Sequence, residues 1–503
     1  MPFNSVFAWF IGKRLNRIQF YRNSPIEAQQ EVYSFLNKNL CDTSFFKETC
    51  STSGKKKHSL DVLELQDYDS LKPYIDRALK GEQNVLWKGK TSWFAKSSGT
   101  TANNKKLLPV TEHSLRQNHY ANGKDLLAQY YNNLPDRKLF NAKHLVIGGT
   151  GDITNTKNGI FIGDLSAIII NNLPWWTEWR RAPSKEIALQ GDWEIKLENM
   201  AKAVQKENIC IVAGMPSWTI LLMEKVLSIS GKKSLKEIWP NFELYIHGGM
   251  HIEPYEEKLR SLCGTLNVQF IESYNASEGY FGWQDQLKEK DLLLATYSGI
   301  YYEFIPMSTF QGRTSKTILK LHEITVGVEY ALVISTSAGL WRYIIGDTIT
   351  FTSLLPFRFK VTGRTSHFIN AFGEKLIEIH AEKAIQKAAT ETNGLVANFT
   401  VAPTFFEDGK AGCHEWLIEF NSQPNSIPQF EKWVDIELKA LNDDYNIKRE
   451  KALNIGPPKF VYIGNNAFEK WLKSNGKLGG QHKIPRLSNN RIILEQILTF
   501  ERT

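Results

Sequence analysis

At 503 residues the chain is too long for one hydrophobic core, so two or more domains are expected. Its 42% apolar and 23% charged residues are those of a globular protein, which argues against a disordered or membrane-embedded chain. The net charge of +8, spread over 61 basic and 53 acidic residues with no long basic stripe, suits anionic small molecules and argues against a nucleic-acid binder.

Cys41, Cys50, Cys210, Cys263 and Cys413 form no C-x-x-C pair, so neither a disulfide framework nor a zinc site is expected, and a cytoplasmic setting fits. The apolar stretch 6–12 runs into Lys13, Arg14 and Arg17 and reads as an amphipathic helix. No run is long enough to span a bilayer, so no membrane partner is expected. Residues 1–90 read as helical, with Val32, Phe35 and Leu36 at helix spacing as packing residues. From 140 onward, β-branched runs end in glycine at Gly148, Gly214 and Gly248, with helix-length segments at 193–206 and 218–228. Strand, glycine turn and helix in repetition predict parallel α/β layers, whose ligands bind at the carboxyl ends of the strands. From about 291 successive strands without long helices predict a small antiparallel sheet or barrel. After Arg364 comes a separate α+β unit. The expected division is a large N-terminal domain, 1–364, and a small C-terminal domain, 365–503.

Five stretches carry the candidate chemistry. Ser97, Ser98, Gly99, Thr100 and Thr101, followed by Lys105 and Lys106, are built to hold a polyphosphate, although the spacing is not that of a G-x-x-x-x-G-K-[ST] P-loop. Gly248 and Gly249 stand at a strand end where a flat ring could approach backbone. Tyr274, Asn275, Ala276, Ser277 and Glu278 offer an aromatic face, small residues and a carboxylate in one turn. Tyr343 to Asp347 puts an acid after a glycine, where it could accept hydrogen bonds from ribose hydroxyls. Gly363 and Arg364 lead into the last unit.

In this order the motifs resemble those of the adenylate-forming superfamily, and within it the Gretchen Hagen (auxin-responsive) acyl-acid amido synthetase family. Residues 97–101 are similar to that family's Ser-Ser-Gly-Thr-[Ser/Thr] motif, with Lys106 at its lysine. Residues 274–278 are similar to Tyr-Ala-Ser-Ser-Glu, with Asn275 and Ala276 as departures, and 343–347 to Tyr-Arg-Val-Gly-Asp, with Ile344 replacing the arginine. Residues 481–486 are similar to Gln-Tyr-Lys-x-Pro-Arg, which places the family's C-terminal lysine at Lys483. The resemblance implies an adenylate-forming α/β fold with a mobile α+β C-terminal domain that rotates about a hinge near Gly363 and Arg364.

It also implies a two-step reaction with ATP and Mg²⁺. An acid is adenylated with release of pyrophosphate, and an amine, such as an amino acid, then displaces AMP to give an amide. Ser97, Ser98, Gly99, Thr100, Thr101 and Lys106 would hold the phosphates. Gly249 and Tyr274, with Ala276 and Ser277, would bound the adenine slot, and Asp347, with Tyr343 and Arg364 beside it, would take the ribose. Glu278 would bind Mg²⁺ and Lys483 would act catalytically at the α-phosphate. Trp176, Trp179, Met215 and Trp218 are candidates for an apolar acid pocket. Two other readings stay open: a thioester-forming acyl-CoA ligase, and a nucleotide-binding homologue without turnover.

Overall fold

The computed structural model describes residues 7, 9–53, 59–97, 106–137, 139–149, 151, 153–156, 158–249, 252–365, 368–405, 411–450, 455–474 and 485–502. They fall into two compact units, one extending to Thr365 and the other following it.

The first unit begins with helices Arg14–Asn23, Pro25–Leu40, Ser44–Ser53 and Tyr68–Leu79. In Pro25–Leu40, Val32 and Leu36 are buried one turn apart, whereas Phe35, read from the sequence as packing, turns off that face and is 38% exposed. Helix Tyr68–Leu79 starts on a capping box: the Ser70 N–H donates to Asp67 Oδ1 at 2.9 Å, and the Asp67 N–H donates to Ser70 Oγ at 3.0 Å. Asp67→Ala should therefore lower stability by about 1 kcal/mol, read as a lower denaturant midpoint at unchanged slope.

The strands that frame the site are β1 (Trp93–Ser97), β2 (Lys106–Val110), β3 (Lys143–Val146), β4 (Phe161–Asp164), β5 (Ile209–Ala213), β6 (Leu244–His247), β7 (Gln269–Ala276), β8 (Gly279–Gln284), β9 (Tyr343–Leu354) and β10 (Phe357–Arg364). A small sheet pairs β2 with β1 antiparallel and β1 with β4 parallel. In the large sheet Arg181–Ala182, β3, β5, β6 and β7 run parallel. Helices Trp193–Val204, Pro216–Ser230 and Glu253–Cys263 lie between successive strands in the chain, as the strand, glycine, helix rhythm predicts.

The antiparallel strands are not a separate sheet or barrel. They continue the parallel strands in one twelve-stranded sheet. The reason is local: Ser277 and Glu278 form a two-residue turn that folds β8 back on β7, and from there each strand is added antiparallel. A core of Phe281, Tyr302, Phe304, Trp341, Tyr343, Phe351 and Phe359 fills one side of this region. Arg342 adds a buried tie, its Nε and Nη2 donating to Glu303 Oε2 and Oε1 at 2.9 and 2.8 Å and its Nη1 to the Leu63 carbonyl at 2.6 Å.

The second unit is built on Leu395–Thr404, Cys413–Ser422 and Lys459–Ile463, with antiparallel and parallel pairing respectively. Trp416 and Ile418 share a core with Phe430, Val434 and Leu438 of helix Ile427–Leu441, and Leu417 faces a second one with Phe468, Trp471 and Ile497. Cover on both faces explains the unbroken apolar run 416–418. No helix among the described residues is long and apolar enough to cross a membrane.

Candidate active site

The site in the first unit is built where β7, β8, β9 and β10 meet. Pleating sends Tyr274 to the side of Phe281 and Phe359, with ring centroids 4.8 and 6.1 Å away. Its hydroxyl donates to Asp347 Oδ2 at 2.5 Å. Asp347 stands opposite Arg364 in the β9–β10 register, and Arg364 Nε meets Asp347 Oδ1 at 2.8 Å. Gly346, at φ +95°, turns the strand beside this pair, and Arg364 Nε reaches its carbonyl at 3.4 Å. Burial opposes the Arg364 charge, but Asp347 and Glu278 outweigh it and hold the guanidinium above its ordinary pKa. Each Asp347 oxygen thus has one donor and retains a lone pair, so the carboxylate can still accept two hydroxyls.

Lys106 opens β2, opposite Ser97 at the end of β1. Its Nζ lies 5.6 Å from the ring centre of Tyr68, whose hydroxyl accepts from the Leu107 N–H at 2.9 Å. Burial pulls its pKa down, while Glu278 pulls it back toward the charged form. Burial pushes the Tyr343 pKa up, and Glu278 adds to it. The structure therefore brings Lys106, Tyr274 and Tyr343 within electrostatic range of Glu278 and Arg364, while Asp347 is held by Tyr274 and Arg364. Tyr343 is 1% exposed and supports the site from the core. Ala276 ends β7 and Ser277 starts the turn, both half-buried.

A second group sits at the ends of β3, β5 and β6. At Gly248 a Cβ would lie 2.1 Å from the Ser273 carbonyl oxygen, so only glycine permits this approach of β6 to β7. Met215 packs over Gly249, its side-chain atoms 3.6–3.9 Å from the Cβ position. One turn on, Trp218 lies against Gly149 and is tilted on Trp193 at 4.9 Å. Trp179 does not join them; it is 72% exposed on a short 3₁₀ turn, edge-on to Trp175 at 5.5 Å. Ser98, Gly99, Thr100, Thr101 and Lys483 lie outside the described residues, as does the side chain of Trp176.

Two polar residues here escaped the sequence reading. Lys196 is 1% exposed, and its Nζ donates to the Gly148 and Gly149 carbonyls at 3.1 and 2.5 Å, tying down the turn after β3. Burial brings its pKa to about 8. A signal existed, since Lys196 occupies the buried stripe of its helix with Trp193, Met200 and Val204. The other is His119, which meets Asn275 and gave no sequence signal.

Among the described residues no group of three or more His, Cys, Asp or Glu side chains could hold a metal. A Mg²⁺ bound by substrate phosphates and one carboxylate needs no such group, and Glu278, near Lys106 and Arg364, fits that donor set.

Models of the GH3 family match this chain over residues 14–268 (N-terminal domain), 293–364 (central domain) and 379–492 (C-terminal domain). Indole-3-acetic acid-amido synthetase GH3.4 of Arabidopsis thaliana is 23% identical over 94% of this chain and 91% of its own length. Jasmonoyl–L-amino acid synthetase GH3.5 of Oryza sativa subsp. japonica is 27% identical over 52% of this chain and 48% of its own. The structure of GH3.15 acyl acid amido synthetase in complex with 2,4-DB has the same fold, with a TM-score of 0.61 at 17% identity over 96% of this chain and 95% of that one. So has a 2-hydroxyisobutyryl-CoA ligase with 2-HIB-AMP and CoA, with a TM-score of 0.57 at 11% identity over 95% and 94%.

Proposed function

Because this chain belongs to the GH3 family, we propose that it is an ATP-dependent acyl-acid amido synthetase. It adenylates a small carboxylic acid with release of pyrophosphate and then joins the acyl group to an amine, such as an amino acid. The observation that carries this reading is the Asp347 carboxylate, held by Tyr274 and Arg364 with accepting capacity to spare, while the same Arg364 lies in electrostatic range of Lys106 and Glu278.

In the first step an oxygen of the acid carboxylate forms a bond to the α-phosphorus of ATP, and the bond to pyrophosphate breaks. Asp347 holds the ribose, and Lys106, with residues 97–101, draws the leaving phosphates. Mg²⁺, when bound at Glu278, supplies charge neutralisation for the phosphates. Lys483 offsets the repulsion between carboxylate and α-phosphate. In the second step the amine nitrogen attacks the acyl carbon, loses a proton, and AMP leaves with the bridging oxygen. Met215 and Trp218 are the apolar contacts offered to the acid. The proposed enzyme acts in the cytoplasm, with residues 1–364 holding both first-step substrates and 365–503 carrying Lys483.

The test is acid-dependent ATP–pyrophosphate exchange across a panel of carboxylic acids, followed by mass analysis of products formed with amino acids and with thiols. Amide products with amino acids are expected; thioesters alone would mean a thioester-forming ligase. In the same assay Lys106→Ala should lower exchange by about tenfold or more, the loss of one charge-assisted contact to a transferred group. Exchange at the wild-type rate would remove Lys106 from the phosphate site.

A further inference from the structure

Successive side chains of β7 point to opposite faces, so Tyr274 and Asn275 part company: Tyr274 serves Asp347, and Asn275 faces the other way. On that other face lies a π-helical turn, Leu115–His119, whose His119 Nδ1 is 3.1 Å from Asn275 Oδ1. An amide oxygen can only accept, so Nδ1 carries the proton and donates it. His119 is 8% exposed, and burial lowers its pKa to about 4, so the ring is neutral around pH 7.

The turn that carries His119 is fixed to the site. Asn118 Oδ1 accepts from the Tyr280 N–H at 2.7 Å, and its Nδ2 donates to the Tyr280 carbonyl at 3.0 Å. Asn122 donates to the same carbonyl at 2.8 Å. With Oδ1 occupied, the amide N–H groups of Asn275 are turned away from His119; the residue is exposed, and neither N–H is hydrogen-bonded to a described residue.

We propose that Asn275, oriented by His119, determines specificity for the acyl acid: its amide N–H groups bind an acceptor oxygen on the acid's body, a ketone, ether or hydroxyl. The acid is thus an oxygen-functionalised one and not a plain hydrocarbon acid. The ribose side of β7 is already taken by Tyr274 and Asp347, and on the opposite face Asn275 stays exposed beside the Leu115–His119 turn, open to the other substrate of the first step. Alanine stands at this position in the motif that residues 274–278 resemble, and a methyl group cannot donate. This inference rests on the adenylation reading above.

The test is ATP–pyrophosphate exchange with matched acids that differ only by a ketone or methoxy group against its hydrocarbon isostere. The wild type should favour the oxygen-bearing acid by about tenfold or more in kcat/KM, since a site built to donate leaves its groups unpaired with the isostere. Asn275→Ala should bring that ratio close to one. Asn275→Asp keeps an oxygen for His119 but presents an acceptor, and should turn the preference against ketone and methoxy acids. His119→Ala should lower the ratio, and His119→Gln, which can still donate to Asn275, should restore it. A general structural role would not produce that rescue. A ratio unchanged in Asn275→Ala and Asn275→Asp, or no preference in the wild type, overturns this inference while exchange itself upholds adenylation. No exchange with any acid overturns both.

Discussion

Lys483→Ala should slow adenylate formation by about a hundred- to a thousandfold, the loss seen when one preorganised donor to a charged transition state is removed. Attack of a carboxylate on a phosphate brings two anions together, and a lysine placed between them is the simplest way to lower that barrier. Lys483 itself lies outside the described residues. The residues just after it are firmly held: Thr400 Oγ1 donates to the Pro485 carbonyl at 2.7 Å, the Val401 N–H donates to the Arg486 carbonyl at 2.9 Å, and Leu487 is 2% exposed. The second step needs no such charge. Chemically prepared acyl-adenylate, supplied with the amine, should therefore be consumed by the variant at nearly the wild-type rate. Rates of the two steps measured separately decide the point, since equal losses in both would mean a structural role for Lys483.

Asp347→Ala should weaken ATP binding by about tenfold or more, because each hydrogen bond from a ribose hydroxyl to a carboxylate contributes about 1.5–3 kcal/mol when well formed. The variant should also bind ATP and 2′-deoxyATP alike, whereas the wild type should favour ATP. Tyr274→Phe is the graded companion. It removes the donor on Oδ2 but leaves Arg364 on Oδ1, so ATP affinity should fall less than in Asp347→Ala. Calorimetry with both nucleotides measures these effects. An unchanged ATP affinity in Asp347→Ala would take the residue out of the nucleotide site.

How far the sequence discloses this structure depends on how local each signal is. The glycines at 148, 214 and 248 mark the strand ends because each is a short-range turn, and helices Trp193–Val204 and Pro216–Ser230 fall where their periodicity places them. The continuity of the sheet is not local. It depends on which strand edge β8 takes after the Ser277 and Glu278 turn, and no spacing encodes that choice. Likewise the Arg342 and Glu303 pair, 39 residues apart, and the His119 and Asn275 pair, 156 apart, exist only once the chain is folded. Trp179 shows the opposite failure: an aromatic cluster reads as a pocket, yet a short 3₁₀ turn leaves it in solvent. The Tyr274, Asp347 and Arg364 group was legible as three motifs, but not the hydrogen bonds that join them.

The most direct test of adenylation follows one oxygen atom. With an acid labelled in both carboxylate oxygens with ¹⁸O, attack on the α-phosphorus carries one labelled oxygen into the bridge, and it leaves with AMP when the amine attacks. Mass analysis of AMP from a complete turnover should show one ¹⁸O per molecule, with none in pyrophosphate. Unlabelled AMP, or label recovered in inorganic phosphate, would contradict the account.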